Sequence, residues 1–308
     1  MAPSAISTPG ARRRNDADNG KVRCGAPDKA TPTASRPRWQ DPRVTTSSPP
    51  PLPDRLEQSV DDGILILRIV NEGRANALTE RVLDQIARAL TGPGAKDVRA
   101  AVLTGGGERH FSSGAELGTE PAKEWIERAK RIEHGIQAVA AALVKTSFPL
   151  IAAINGDAIG GGLELAMACD WRVAREGARF AMPPARIGLV YTAEGMRRFV
   201  TEIGLAQTRE IFLTGRAFDS RHALQIGLVN HVTPPDEVMP TAMRLAAMVA
   251  ANAPIAVDGM RIILRAIVEN DGAEAKAQQW RVKAFGSADL AEGLAATRER
   301  RAAEFGGT

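Results

Sequence analysis

Residues 153–170 read AINGDAIGGGLELAMACD: an apolar run reaches Gly160, Gly161 and Gly162, and an acid, Glu164, stands two residues beyond on an otherwise apolar helix. Glycines are common where a strand turns into a helix, so the run alone says little. It lacks the Gly-Lys-Ser/Thr of a phosphate loop and the spacing of a dinucleotide fingerprint. A helix N-terminus nevertheless offers unpartnered backbone N–H groups at the positive end of the helix dipole. Glycines let a ligand reach those groups, and a first-turn carboxylate lies beside whatever binds. Donors for a negative oxygen plus a proton-moving acid equip a site for chemistry next to a carbonyl. One N–H is a poor oxyanion hole, so a second donor is expected. The stretch LTGGGERHFSSGAELG, residues 103–118, is the candidate, another strand end followed by small residues.

The elements that must hold these loops alternate. GILILRIV (63–70) reads as a strand, and residues 78–90 carry helical spacing through Leu78, Val82, Ile86 and Leu90. Residues 98–105 form a buried strand. A long helix over roughly 120–147 is opened by Pro121. Residues 149–155 are the next buried strand, with a helix over 161–169 and short strands at 171–174 and 178–181. From about residue 193 the chain is nearly all helix. This order predicts an α/β fold with a mostly parallel sheet covered by helices. The carboxyl ends of parallel strands share one edge, so the two glycine loops are expected to face each other.

Four segments then carry a resemblance. NAL (76–78), VLTGGGERHFSSGAEL, INGDAIGGGLELAMACD and FLTGRAFDSRHALQIGLVNHV (212–232) resemble signatures of the crotonase, or enoyl-CoA hydratase/isomerase, family, over roughly residues 57–306. The resemblance implies a spiral of βαβ units over residues 54–252 and a helical C-terminal region over 253–308, assembled as trimers or paired trimers. It implies an acyl-CoA thioester substrate, with coenzyme A part of the substrate and no separate cofactor. The thioester enolate would rest on the backbone N–H groups of Ala115 and Gly161, and the first catalytic glutamate falls on Glu164. Arg74, Ala75, Glu116, Leu117, Gly118, Gly160 and Pro184 would line the substrate. Arg74 would meet the coenzyme A phosphates or stand solvated, and Glu116 reads as a loop residue beside the site.

One position departs from the pattern. True hydratases of the family carry a second glutamate in a stretch like F-x-x-P-E, and here FAMPP puts Pro184 there. Proline can neither give nor take a proton. Glu194 and Tyr191 are the local groups that could compensate. Glu194 also reads as a solvated first-turn acid, and Tyr191 as a half-buried packing residue. IGLVYTAEGM resembles family members that decarboxylate methylmalonyl-CoA, although those carry histidine where Ala115 stands. Three readings follow: an enoyl-CoA hydratase-like lyase, a decarboxylase or isomerase on the same enolate, and a weakly catalytic RNA-binding relative.

Bulk features bound these choices. The chain has 308 residues, 44% of them apolar, and two cysteines, Cys24 and Cys169, too few for a disulfide framework. Residues 1–53 hold ten of the nineteen prolines and a net charge of +5, which leaves about −1 for residues 54–308. The first stretch reads as disordered, and the near-neutral remainder gives no nucleic-acid signal. ARRRN (11–15) is followed by no apolar segment, so secretion is not expected. No apolar run reaches membrane-spanning length. A cytoplasmic protein without bound metal is expected, since the four histidines lack ligand spacing.

Overall fold

The computed structural model describes residues 54–116 and 120–308; the expected disordered tail, Cys24, Leu117 and Gly118 lie outside the described residues. In the first half, strands β1 (Arg55–Asp61) and β2 (Ile64–Val70) lead to helix α1 (Glu80–Thr91), strands β3 (Ala100–Gly105) and β4 (His110–Ser112), and helix α2 (Ala122–Lys145). Then come β5 (Leu150–Ile154), β6 (Asp157–Ile159), α3 (Gly161–Met167), β7 (Trp171–Arg175), β8 (Arg179–Ala181) and α4 (Ala193–Thr214). The remainder is β9 (Phe218–Asp219), α5 (Ser220–Gln225), β10 (His231–Thr233) and α6 to α9, at Val238–Ala250, Pro254–Glu269, Ala273–Phe285 and Ala288–Glu299.

The strands form two sheets, a six-stranded one ordered β1-β2-β3-β5-β7-β10 and a four-stranded one ordered β4-β6-β8-β9. The first is parallel except for the β1–β2 pair. Its central strands show no polar alternation because both faces are covered. Ala101 and Leu103 join the core beneath α1 and α2, whereas Ala100 and Val102 pack against Val238, Ala242 and Ala246 of α6. A strand buried on two sides can be apolar throughout.

The second sheet is an addition to the expected single sheet. Its strands are two or three residues long, too short for a period to show. It matters because β4 and β6 pair in parallel and each feeds one of the two glycine loops. Asn76 locks this junction while buried. Its Nδ2 donates to Gly106 O at 2.8 Å and His110 O at 2.7 Å, and its Oδ1 accepts from Asn71 N at 3.0 Å. Ala75 and Asn76 both hold left-handed backbone, at φ 52° and 51°, a costly conformation for residues with a Cβ.

Helix starts follow local chemistry. The Thr79 side chain accepts from Val82 N at 3.2 Å to cap α1, and Thr192 accepts from Gly195 N at 3.2 Å to cap α4. The second cap starts the helix that packs against α3. Arg172, fully buried on β7, anchors α4 to the sheet. It reaches Glu202 of α4 at 2.8 Å and the carbonyls of Cys169 and Leu228 at 2.9 and 2.7 Å. Cys169 is buried on the apolar side, and burial pushes its thiol up, away from reactivity. Among the described residues no single helix is long and apolar enough to cross a membrane.

Asn76→Ala leaves two buried main-chain groups, Asn71 N and Gly106 O, without partners, while His110 O keeps Asn155 Nδ2 at 3.5 Å. Chemical denaturation should show a loss of about 2 kcal/mol, each orphaned group costing about 1 kcal/mol or more. An unchanged midpoint would show that the junction needs no clamp.

Candidate active site

Strand β6 ends at Ile159, and Gly160 turns the chain into α3. Its φ of 54° and ψ of −123° are conformations that residues with a Cβ avoid. Gly161 is therefore the first residue of α3, with its N–H at the helix start. The Ser113–Ala115 turn leaves β4 and packs directly on this terminus. A Cβ at Gly114 would stand 2.6 Å from Gly161 N and 3.1 Å from Gly162 N, so only glycine permits the contact. A Cβ built on Gly161 would lie 3.8 Å from Ala115 N. The two sequence-predicted donors are thus neighbours on one rim, both half-buried. Among the described residues neither Ala115 N nor Gly161 N has a hydrogen-bond acceptor, and Gly162 N also has none, whereas Ser113 N donates to Ala75 O at 3.0 Å and Glu164 N to Gly160 O at 3.0 Å.

Glu164 lies in the first turn of α3, only 1% exposed. Both carboxylate oxygens are engaged. The Tyr191 hydroxyl donates to Oε2 at 2.5 Å. On Oε1, Arg198 donates at 3.3 Å and Gln137 Nε2 at 3.4 Å. Arg198 also donates to Gln137 Oε1 at 2.8 Å, closing a small ring. Gly195 makes room for this cluster, since a Cβ there would meet Tyr191 Cε1 at 2.7 Å and Glu164 Oε1 at 2.9 Å. Burial pushes the Glu164 carboxyl above its ordinary range, against the Tyr191 hydrogen bond and the Arg198 charge; Glu133 and Glu194 add to the rise. Burial, then the facing Glu164 carboxylate, hold the Tyr191 phenol well above its ordinary value.

The other sequence-predicted residues sort by place. Tyr191 is both packing residue and polar partner, its ring edge-on to Phe212 with centroids 5.5 Å apart. Glu194 is 65% exposed and reaches the cluster through Arg198, at 3.4 Å. Arg74 pairs with Glu116 at 3.1 Å on the outer side of the Ser113–Ala115 turn. The carbonyl of Glu116 accepts from Trp125 Nε1 at 3.1 Å and from Arg128, tying the turn to α2. Ala75 O receives the Ser113 amide. Pro184 is buried at the start of a 3₁₀ turn, Pro184–Ile187. Arg198, Gln137 and Gly195 were not singled out from sequence. The available signal was spacing: Arg198 follows Glu194 by four residues, on one face of α4.

With this geometry in view, the comparisons with known proteins are specific. The family described as enoyl-CoA hydratase/isomerase matches residues 59–308. The chain belongs to that family. A Bacillus subtilis protein named YngF, an enoyl-CoA hydratase/isomerase by name, is 39% identical over 213 residues, covering 68% of this chain and 82% of its own. A short-chain-enoyl-CoA hydratase of Clostridium acetobutylicum is 38% identical over 163 residues, 52% of this chain and 61% of its own. The crystal structure of an enoyl-CoA hydratase from Bacillus anthracis superposes with a TM-score of 0.76 at 27% identity, covering 82% of this chain and 99% of that one. The fold is therefore the crotonase one, with its helical C-terminal region.

Tyr191 is the only tyrosine in the chain. Its ultraviolet absorbance should show phenol ionisation well above pH 10 in the folded protein. In Glu164→Gln the midpoint should fall, because the facing negative charge is gone. Ionisation at the same pH in folded and unfolded chains would contradict the contact.

Proposed function

We propose that this protein is an enoyl-CoA hydratase-like lyase that adds water across the 2,3 double bond of an enoyl-CoA thioester. The observation that carries the reading is the pair of partnerless amides, Ala115 N and Gly161 N, on one rim beside a buried acid. The thioester oxygen accepts from both. As water attacks C3, negative charge moves onto that oxygen, and the amides stabilise it without having to reorganise. One such donor is typically worth about 10²–10³ in rate, so two supply several kcal/mol.

Glu164 takes a proton from the attacking water. The Tyr191–Glu164 pair then holds one proton more than at rest and returns it to C2. The product is a 3-hydroxyacyl-CoA, and the pair ends as it began. Tyr191 thus stands in for the carboxylate that the family pattern places at position 184. The chemistry requires no cofactor beyond the coenzyme A carried by the substrate. Arg74, on the outer side of the turn, is the candidate for its phosphates. The reading includes a cytoplasmic homotrimer or hexamer with no nucleic-acid or membrane partner, acting in fatty-acid or related acyl-CoA metabolism.

A decarboxylase would use the same amides, with the Tyr191 hydroxyl orienting a substrate carboxylate. That hydroxyl is here bonded to Glu164, which favours hydration. Crotonyl-CoA and methylmalonyl-CoA offered side by side separate the two. We expect hydration of the first, with kcat falling about 10²–10⁴ in Glu164→Gln, and little release of CO₂ from the second. Equal hydration by parent and variant, or CO₂ release as the main activity, would overturn the assignment.

A further inference from the structure

We propose that Arg198, oriented by Gln137, is the positioning residue that keeps Glu164 ionised and fixes its carboxylate plane. The inference rests on the reading of Glu164 as the proton-moving group, but it concerns a different element and has its own readout.

A buried carboxylate is stable as an anion only where donors or a positive charge face it. The groups around Glu164 come from each element packed against α3. From α4 come Arg198 and Glu194, and from the segment before it Tyr191. From α2 come Gln137 and Glu133. The titratable groups of β6 and β4, Asp157 and His110, face each other and Arg179 instead, Asp157 pairing with Arg179 at 2.6 Å. Arg198 is the cation in direct contact with Glu164, and Glu133 and Glu194 both oppose the anion. The arginine is itself held. Its side chain is 17% exposed, Gln137 Oε1 accepts from it at 2.8 Å, and Glu194 lies on its outer side at 3.4 Å.

This arrangement divides the work between the two oxygens. Arg198 and Gln137 hold Oε1, which fixes the carboxylate rotation. Oε2 then has one partner, the Tyr191 hydroxyl, which donates to it at 2.5 Å. A neutral residue at 198 would keep the burial and both opposing acids while losing the counter-charge. Glu164 would then take up a proton at higher pH and fail as a base over the lower part of the working range. A lysine would restore the charge without the planar fork that reaches Glu164 and Gln137 together.

Infrared difference titration reads this without turnover. The carboxylate band absent from Glu164→Gln identifies Glu164 in the full-length chain. In Arg198→Gln its midpoint should rise by about 1–3 pH units, the span typical for loss of one adjacent opposite charge. In Arg198→Lys it should return most of the way. The acid limb of kcat/KM on crotonyl-CoA should move by the same amount, with activity recovering at high pH. An unmoved midpoint in a cooperatively folded Arg198→Gln protein would overturn the proposal. So would an activity loss that is equal at every pH. A shifted midpoint in a chain that hydrates no enoyl-CoA would support Arg198 and count against the hydratase reading.

Discussion

The site depends on a contact between two pieces of backbone with almost no side chain between them. The Ser113–Ala115 turn lies on the start of α3, with Gly114 against the amides of Gly161 and Gly162. Any Cβ at position 114 would separate them. Because they touch, two N–H groups from segments some 46 residues apart in sequence share one rim and keep their hydrogen-bonding capacity for a ligand. The rest of the fold can be read as support for this contact. The β4–β6 pairing brings the segments together, Asn76 ties β4 to the end of β3, and the carbonyl of Glu116 fastens the far side of the turn to α2.

The second constraint is electrostatic. Glu164 is buried, and there its charged form is costly. The protein offsets that cost with one arginine, one amide and one phenol. A tyrosine hydroxyl gives a hydrogen bond to an anion without adding like charge, unlike a second glutamate, which would add repulsion to burial. Pro184, buried at the start of a 3₁₀ turn, is where the sequence resemblance leads one to expect that second acid.

Much of this could be read from the chain. The strands that became β3 and β5 announced themselves as continuous buried runs, β2 as an apolar run broken only by Arg68, and α1 as an apolar stripe. The acid after three glycines stood out because a carboxylate on an apolar helix needs a reason. The remaining parts were hidden for physical reasons. Strands β4, β6, β8 and β9 are too short to carry a period, and their pairing is decided by distant residues, as between Ala158 and Phe180. Strand β1, RLEQSVD, is largely exposed and carries no apolar run to mark it. Helix α8 has no buried residue, so no apolar stripe marks it. Arg198 resembles any solvated helical arginine. It becomes part of the site only because α4 packs against α3, with α4 anchored to β7 by the Arg172–Glu202 pair.

The central claim is that two main-chain amides hold one thioester oxygen. A crystal structure of the protein with butyryl-CoA, which has no double bond to hydrate, tests it most directly. The account predicts the thioester oxygen about 2.7–3.1 Å from both Ala115 N and Gly161 N. An oxygen bound by only one of them, or turned toward solvent, would contradict it.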